Sequence, residues 1–421
     1  MICKCPKCDG ALEYNPAYDK MECPYCGSTF STHEAMAHQR LKDNAVKMAP
    51  MSEVAQGGMN ADGSQITTET TAGAQEATQT ANVNGQNTME CNIYTCTACG
   101  AELAVNGVEA STFCAYCGQP TIVFSRVSQE LMPKWILPFR IQKDQAVNGI
   151  RERLNKGLFV PKEIKNFEVE KVRGIYVPYF LFDAYYYDWQ RLRGEVGSGK
   201  HRRTKYFVRE AECDFTKVTC DASVQLNDES SQRLEPFDLR CLKPFEAGYL
   251  SGFYADRYDL SDKQLTGVAI GRIKSMFDEE IRKSISASSI RIMENRPKYQ
   301  IKSAEYALLP AWFLTFRYKN EPYTMLVNGQ TGKVVGAVPF DKAKFSGMFA
   351  ALAVVATAIF TALGMLFFHE DMDSDIFKIV VVAAFVFYGA GWRAFVSVKN
   401  NIALTKASKT AKFVRERQDD N

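Results

Sequence analysis

Two matching sets of cysteine pairs constrain the fold of this chain more than any other feature. Each set contains two Cys-x-x-Cys pairs, and fourteen residues separate the pairs in both sets. The members are Cys5, Cys8, Cys23 and Cys26 in the first set, and Cys96, Cys99, Cys114 and Cys117 in the second. Each pair turns the backbone so that two thiolates face one point, and two pairs on a β-hairpin complete a tetrahedron around Zn²⁺. The spacing therefore predicts two zinc ribbons, at residues 1–30 and 90–124, with one zinc ion in each.

The two predicted ribbons resemble each other in sequence as well as in spacing. The text CDGALEYN in the first corresponds to CGAELAVN in the second, which indicates an internal duplication. Four protein thiolates leave no open coordination position, so we expect both ions to be structural and to contribute folding free energy. Gly10 and Gly27 follow the first two pairs and permit a positive φ. Cys3 is either a competing ligand or, as we favour, a strand residue that leads into the first pair, and Cys91 is a similar additional thiol before the second set.

The segment between the two predicted ribbons divides into a helix and a linker. Residues 31–48 are predicted to form one short helix, and its His33 and His38 are interpreted as surface residues. Residues 49–89 are rich in Thr, Gln, Asn, Ala and Gly and contain no aromatic residue. Such a composition cannot bury enough apolar surface to offset the conformational entropy of the chain, so a disordered linker is predicted.

Residues 131–340 have a globular, aromatic composition and contain a second, weaker duplication. In the first half, a strand near 136–141 precedes a helix near 144–156 and a long aromatic strand. In the second half, a capping box at Ser261 and Gln264 begins a helix that ends near Ile285, and the strand at 309–318 follows it. The order strand, helix, strand and hairpin thus occurs twice. It predicts a duplicated α+β domain with a mostly antiparallel sheet.

Two apolar runs near the C-terminus predict a two-helix transmembrane hairpin. Residues 345–368 carry no charge over twenty-four positions, and a bilayer core about 30 Å thick needs about 20 apolar residues. Residues 376–398 form the second predicted span, with a re-entrant or surface-lying helix as the alternative. The loop between the runs is acidic and the flanking segments are basic. The positive-inside rule then predicts a multi-pass protein of the cell membrane, with both termini and the basic tail at 399–421 in the cytoplasm.

The sequence gives little support to several other functions. Residues 194–200 match the start of a phosphate-binding loop, but His201 stands where a Ser or Thr would meet Mg²⁺, so we favour a Gly-rich hairpin loop. Net charge is only +3, and each predicted ribbon carries more acidic than basic residues, whereas binding to nucleic acid needs a basic surface. No nucleophile–base pattern is present, so we expect no enzymatic activity and assign no catalytic residue and no small-molecule substrate.

Other segments complete a pattern with the paired ribbons: the strand at 138–141, the runs LSGFYADRYD and LPAWFLTFRY, and the hairpin NGQTGKVVG. With the terminal apolar hairpin they resemble a family of bacterial TFIIB-type zinc-ribbon membrane proteins, which often carry a label taken from the primosomal helicase PriA. This chain has no helicase phosphate-binding motif. Some members of the family are similar to proteins encoded beside phage-shock protein A. The resemblance implies a scaffold role, with the eight zinc thiolates as the site residues.

The expected fold is therefore multidomain, with two zinc ribbons, a duplicated α+β domain and a transmembrane hairpin. The expected function is a membrane-anchored zinc-binding adaptor that takes part in membrane stress or membrane remodelling. Its expected partners are a phage-shock protein A homologue or other membrane-stress proteins, together with membrane lipid. A zinc-ribbon nucleic-acid-binding protein at the membrane is the alternative.

Overall fold

The structure is a computed structural model, and it describes most of residues 3–48 and 88–336. Within these ranges the described part excludes 106–113, 115, 117–121, 157–159, 168–171, 198, 225, 227 and 319–320, and beyond them it comprises only separate positions between 341 and 393. Cys117, the basic tail and nearly all of the predicted linker lie outside the described residues. So do most positions of the two predicted membrane spans.

The N-terminal residues fold into a small antiparallel sheet followed by a helix. The strands are β1 (Glu13–Asn15), β2 (Lys20–Glu22) and β3 (Thr29–Phe30). Helix α1 (Thr32–Met48) begins after Ser31, whose hydroxyl accepts a hydrogen bond from Glu34 N at 3.1 Å. The Glu34 carboxylate accepts one from Ser31 N at 2.8 Å in return. This capping box satisfies two amide groups at the start of the helix and fixes the point where α1 begins.

One large sheet of twelve strands contains most of the remaining described residues. Its strands are β4 (Thr88–Cys96), β5 (Glu102–Val105), β6 (Ile122–Leu131), β7 (Trp135–Ile136), β8 (Val172–Val196), β9 (Arg203–Asp221), β10 (Lys243–Pro244), β11 (Tyr254–Asp256), β12 (Ser288–Asn295), β13 (Lys298–Tyr318), β14 (Glu321–Asn328) and β15 (Val334–Gly336). The helices between them are α2 (Lys143–Lys156), α3 (Lys162–Lys165), α4 (Asp228–Leu234) and α5 (Asp262–Lys283). Strands β4, β5 and β6 come from the second cysteine-rich segment, so this segment is part of the large sheet.

Strand β8 is the centre of the large sheet, because it pairs with four other strands. Along one edge it pairs antiparallel with β13 and then with β12, and along the other it pairs with β11 and then with β9. The β8–β11 pair is parallel, and so is the pair between β13 and β7. The central order is thus β7-β13-β8-β11. A short parallel strand flanks the long antiparallel pair on each side, and the sheet is mixed.

The two faces of β8 contribute to two separate apolar cores, because successive side chains of a strand point to opposite faces. Ile175, Val177 and Tyr179 belong to one core, and Tyr176 and Phe180 belong to the other. The second core also contains the apolar side of α5, so we call this side of the sheet the α5 face. Helix α5 begins at the capping box of Ser261 and Gln264, which confirms the sequence prediction for this helix.

The N-terminal sheet packs on the α5 face of the large sheet through Tyr14, which is buried. The Tyr14 ring lies 5.2 Å from the ring of Tyr249, and its backbone N donates a hydrogen bond to Ser251 O at 3.1 Å. Nearby, Asp19 forms an ion pair of 2.5 Å with Lys243. Apolar, backbone and charged contacts therefore hold the first cysteine-rich segment against the segment around residues 243–253.

The predicted fold class is wrong in two respects. The described residues form mainly one large mixed sheet with few helices, and the second cysteine-rich segment is part of it, where the prediction had separate ribbons followed by an α+β domain. The predicted transmembrane hairpin at 345–368 and 376–398 is not supported either. In the part of the chain that the structure describes, no helix is both long enough and apolar enough to cross a bilayer.

Helix α5, the longest of these helices, is not apolar enough to cross a bilayer. It has 22 residues, a length that suffices for a span, but charged residues occur along it from Asp262 to Lys283. The predicted location as a multi-pass membrane protein is overturned by the same finding. The predicted domain boundaries and the duplication within 131–340 remain predictions.

Replacing Phe253 by Ala tests how the aromatic core stabilises the fold. The Phe253 ring stacks on Phe139 at 4.3 Å and packs beside Tyr176, Trp312 and Tyr14. We expect Phe253→Ala to lower the free energy of unfolding by about 3–5 kcal/mol, because it leaves a cavity in this cluster. Denaturant unfolding measures the change. Tyr18→Ala is the control, since Tyr18 is 69% exposed, and an equal loss in both variants would contradict the expectation.

Candidate metal centres

Four thiols of the first cysteine set converge in space. The sulfur atoms of Cys5, Cys8, Cys23 and Cys26 all lie within 4.8 Å of one another. The distance from Cys5 Sγ to Cys26 Sγ is 3.7 Å, and the distance from Cys8 Sγ to Cys23 Sγ is 3.4 Å. We call these residues the first thiol group. Its geometry suits a metal ion at the centre.

The backbone around each Cys-x-x-Cys pair of the described residues follows one hydrogen-bonding pattern. In the first pair, Cys5 N donates to Gly10 O at 2.7 Å and Asp9 N donates to Cys5 O at 2.9 Å. The corresponding bonds recur after Cys23 and after Cys96. Each turn places the residue four positions after the first cysteine at positive φ, namely Asp9 (62°), Gly27 (68°) and Gly100 (73°). This repeated turn aims both thiols of a pair to the same side.

The prediction of a positive φ is thus right for Gly27 and misplaced for Gly10, since Asp9 takes that conformation. The small size of Gly10 has a different reason. A Cβ atom at this position would lie 2.5 Å from the Tyr25 ring. The ring can therefore cover the turn of the first Cys-x-x-Cys pair only because residue 10 has no side chain. The turns of the two Cys-x-x-Cys pairs in the first set therefore contact each other at this glycine.

The first thiol group is buried on one side and exposed on the other. Cys5 and Cys23 are buried and belong to the same apolar core as Tyr176 of β8, whereas Cys8 and Cys26 are exposed. Within this group, the hydrogen bond with Cys23 raises the pKa of Cys8 to about 12, whereas hydrogen bonds with Ser28 lower the pKa of Cys26 to about 6. A thiol with such a pKa is mostly thiolate at neutral pH, which is the form that binds metal. The buried thiols join the group to the fold, and the exposed thiols face solvent.

The second cysteine set forms a similar group. The sulfur atoms of Cys96, Cys99 and Cys114 lie within 4.8 Å of one another, and Cys99 Sγ is 3.7 Å from Cys114 Sγ. We call these three the second thiol group. Cys96 and Cys114 are buried, and Cys99 is partly exposed. Cys117, the fourth residue of the predicted set, lies outside the described residues. Both groups can hold a metal ion.

Tyr116 connects the second thiol group to strand β11. Its hydroxyl donates a hydrogen bond of 2.6 Å to Asp256 Oδ2, and Ser223 Oγ donates another of 2.6 Å to the same oxygen. The Tyr116 ring lies 5.3 Å from the ring of Phe313. Asp256 is buried, and burial raises its pKa from the ordinary carboxyl value to about 7. A partly buried aromatic ring and a buried carboxyl group thus anchor the second thiol group.

Arg257, the next residue along the chain, adds an ionic connection to the same segment. Its guanidinium donates to Glu102 on β5 at 2.7 Å and to Glu130 on β6 at 3.0 Å. Glu102 also accepts from Arg126 at 3.0 Å. The guanidinium therefore joins both strands that flank the second thiol group to the end of β11.

Sequence reasoning did not assign a role to Tyr116, Asp256 or Arg257. Two signals were present: a tyrosine precedes the last cysteine in both sets, and Asp256 and Arg257 lie in the run LSGFYADRYD. The equivalent tyrosine of the first set, Tyr25, is 76% exposed. The motif alone therefore could not show which of the two tyrosines packs against a distant strand.

Cys3, Cys91 and the predicted surface histidines lie outside both thiol groups. Cys3 is buried, and its Sγ lies 3.2 Å from Met36 Sδ, while Cys91 is buried on β4. His33 is exposed and His38 is partly buried. The segment at 194–200 begins at the end of β8 and continues into the connection to the antiparallel strand β9, which confirms the hairpin interpretation.

Comparison with known proteins gives one informative match. No family model and no solved structure matches this chain. A protein of Bacillus subtilis (strain 168) with the name "Uncharacterized protein YdjG" is 30% identical over 242 residues. The match covers 55% of this chain and 71% of the relative.

Replacing Tyr116 by Phe tests the anchor of the second thiol group. The substitution removes one of the two hydroxyl donors to the buried Asp256, and we expect it to lower the free energy of unfolding by about 1–3 kcal/mol. Tyr25→Phe is the matched control and should leave stability unchanged. Chemical unfolding of both variants makes the comparison, and equal stability of the two variants would refute the anchoring role.

The pKa of Asp256 predicts a pH dependence of stability. Its folded pKa of about 7 lies above the unfolded value, so the folded chain keeps a proton that the unfolded chain has lost. Stability should therefore fall as pH rises towards about 7 and level off above it, with a slope of up to about 1.4 kcal/mol per pH unit. Asp256→Asn should remove this slope. Unfolding measured across this range for wild type and variant tests it, and identical pH profiles would show that Asp256 does not cause the effect.

Proposed function

This chain belongs to the protein family of YdjG from Bacillus subtilis, and we propose that it acts as a zinc-binding adaptor, a scaffold that binds other proteins. The first thiol group carries the proposal. Its four thiols face one another, and two of them are buried in the core of the large sheet. A metal bound there supports the fold directly.

Zinc is the metal that this set of donors favours. Tetrahedral Zn²⁺ with bonds of about 2.3 Å to sulfur places neighbouring sulfur atoms about 3.8 Å apart. The distances of 3.4–3.7 Å between thiols in the two groups agree with this value. Purely thiolate coordination selects zinc over hard cations such as Mg²⁺ and Ca²⁺. In this proposal each group holds one Zn²⁺, with Cys117 as the fourth ligand of the second group.

The bound ions would have a structural role in this proposal. Four thiolates fill the coordination sphere of Zn²⁺, so no position is open for a substrate or an activated water. What zinc supplies is folding free energy for segments that have little core of their own. The proposal accordingly includes a non-enzymatic function.

One face of β8 supplies a surface for a protein partner. Tyr185, Tyr187 and Trp189 point to this face, which is opposite to the α5 face, and we call it the open face. The Tyr187 hydroxyl donates to Glu210 at 2.7 Å, and the Lys298 ammonium lies 5.6 Å from the Tyr187 ring. These three aromatic side chains, which we call the aromatic row, therefore lie between carboxylates on β9 and cations on β13. Tyrosine, tryptophan and arginine are enriched at protein interfaces, where one side chain offers both apolar area and a polar group.

The resemblance described for the sequence supplies one partner for a direct test, a phage-shock protein A homologue. Binding of the purified full chain to this homologue is measured at physiological salt, together with the zinc content. We expect two zinc ions per chain and a complex that Tyr187→Ala weakens by about tenfold or more, as for an interface hot spot. Tyr299→Ala is the matched control, because Tyr299 pairs with Tyr186 and lies on the α5 face.

Three outcomes would count against the proposal. Fewer than two zinc ions per chain would refute the metal assignment. Equal binding by Tyr187→Ala and Tyr299→Ala would exclude the open face as the binding surface. Absence of binding to the homologue, with no specific protein retained from a cell extract, would refute the adaptor role, and recovery of nucleic acid alone would favour the alternative function.

A further inference from the structure

The outer edge of β9 is unpaired in the described structure. Strand β9 pairs with β8 along one edge over residues 203–221, and no other described strand pairs with it. An edge strand of this length presents a row of backbone N–H and C=O groups that can accept another strand. Proteins usually shorten, cover, interrupt or charge such edges, so a long open edge can bind only a strand whose charges match its own.

Apolar side chains are exposed on the same strand. Tyr206 is 64% exposed and Val208 is 53% exposed. Both are preferred residues of paired strands, where they pack against cross-strand neighbours. An added strand would cover these two side chains and the backbone groups between them.

Charge divides this edge into two halves of opposite sign. Residues 202–209 contain Arg202, Arg203, Lys205 and Arg209 and no carboxylate, whereas residues 210–214 contain Glu210, Glu212 and Asp214 and no cation. A second copy of β9 in antiparallel orientation would place each basic half beside an acidic half. A parallel copy would place like charges together, so the charge pattern favours an antiparallel second copy.

The charges also select the register of such a pair. Two-fold symmetry places some residue opposite itself and makes the pairing reciprocal, and directly opposite side chains in an antiparallel pair lie on the same face. Each register can be named by the residue that lies opposite its own copy. Among residues 203 to 214, only Val208 in this position leaves no two like charges directly opposite each other. That register sets Tyr206 opposite Glu210, Thr204 opposite Glu212, and Arg202 opposite Asp214.

We propose that two copies of this chain form a two-fold symmetric dimer in which β9 pairs antiparallel with β9 of the second copy, centred on Val208. The two large sheets then form one continuous sheet. Because the two-fold axis is perpendicular to the sheet, the open faces of both copies lie on the same side. The dimer thus presents two copies of the aromatic row next to each other. The proposal does not depend on the adaptor function.

Sedimentation velocity of the full chain over a wide concentration range tests the dimer. Val208→Lys places two ammonium groups opposite each other at the centre of the interface. We expect it to raise the dissociation constant by about a hundredfold or more, because like charges that face each other are strongly unfavourable. Met293→Lys is the matched control, since Met293 is 54% exposed and lies on β12, away from this edge. It should leave the dimer unchanged.

Cross-linking tests the register. Val208→Cys should form a disulfide-linked dimer under mild oxidation, because the two copies of residue 208 lie opposite each other in the proposed register. Glu212→Cys should not, since its opposite residue is Thr204 of the second copy. A monomer at every concentration, or a dimer that Val208→Lys does not weaken, would overturn the proposal. Preferential cross-linking through residue 212 would overturn the register.

Discussion

The antiparallel pairing of β8 with β13 is the interaction on which the rest of the structure depends. It extends from Val172 opposite Leu314 to Tyr187 opposite Lys298, and both strands contribute to the cores on the two faces. The short strands β7 and β11 add to the outside of this pair, and β9 and β14 follow the two long strands as hairpin partners. Through β11 the pair reaches β5 and the second thiol group, and through its α5 face it holds the first.

The thiol groups therefore belong to the same cooperative structure as the large sheet. The first is joined through two buried thiols and Tyr14, and the second through Tyr116, Asp256 and Arg257. The two attachments depend on different kinds of interaction. The first is mainly apolar and aromatic, whereas the second depends on hydrogen bonds to a buried carboxyl group and on ion pairs of Arg257 with the partly buried Glu102 and the buried Glu130.

Local features of the fold could be predicted from the sequence, and long-range features could not. The capping box at Ser261 acts within four residues, and the spacing of Cys5, Cys8, Cys23 and Cys26 lies within one short segment, so each can be read from its own part of the chain. The parallel pairing of Tyr254 with Ile175 and the hydrogen bond between Tyr116 and Asp256 join residues far apart in the chain. No local periodicity encodes such a contact. The membrane hairpin was predicted from hydropathy and flanking charge, and no helix in the described part of the chain is both long and apolar enough to cross a bilayer.

The one-sided burial of the first thiol group determines how its chemistry meets the solvent. Cys8 and Cys26 are exposed, whereas Cys5 and Cys23 lie within the core. A chelator or an oxidant can approach only from the side of the exposed pair. Cys8 and Cys26 are therefore the two thiols of this group that a reagent in solution reaches first.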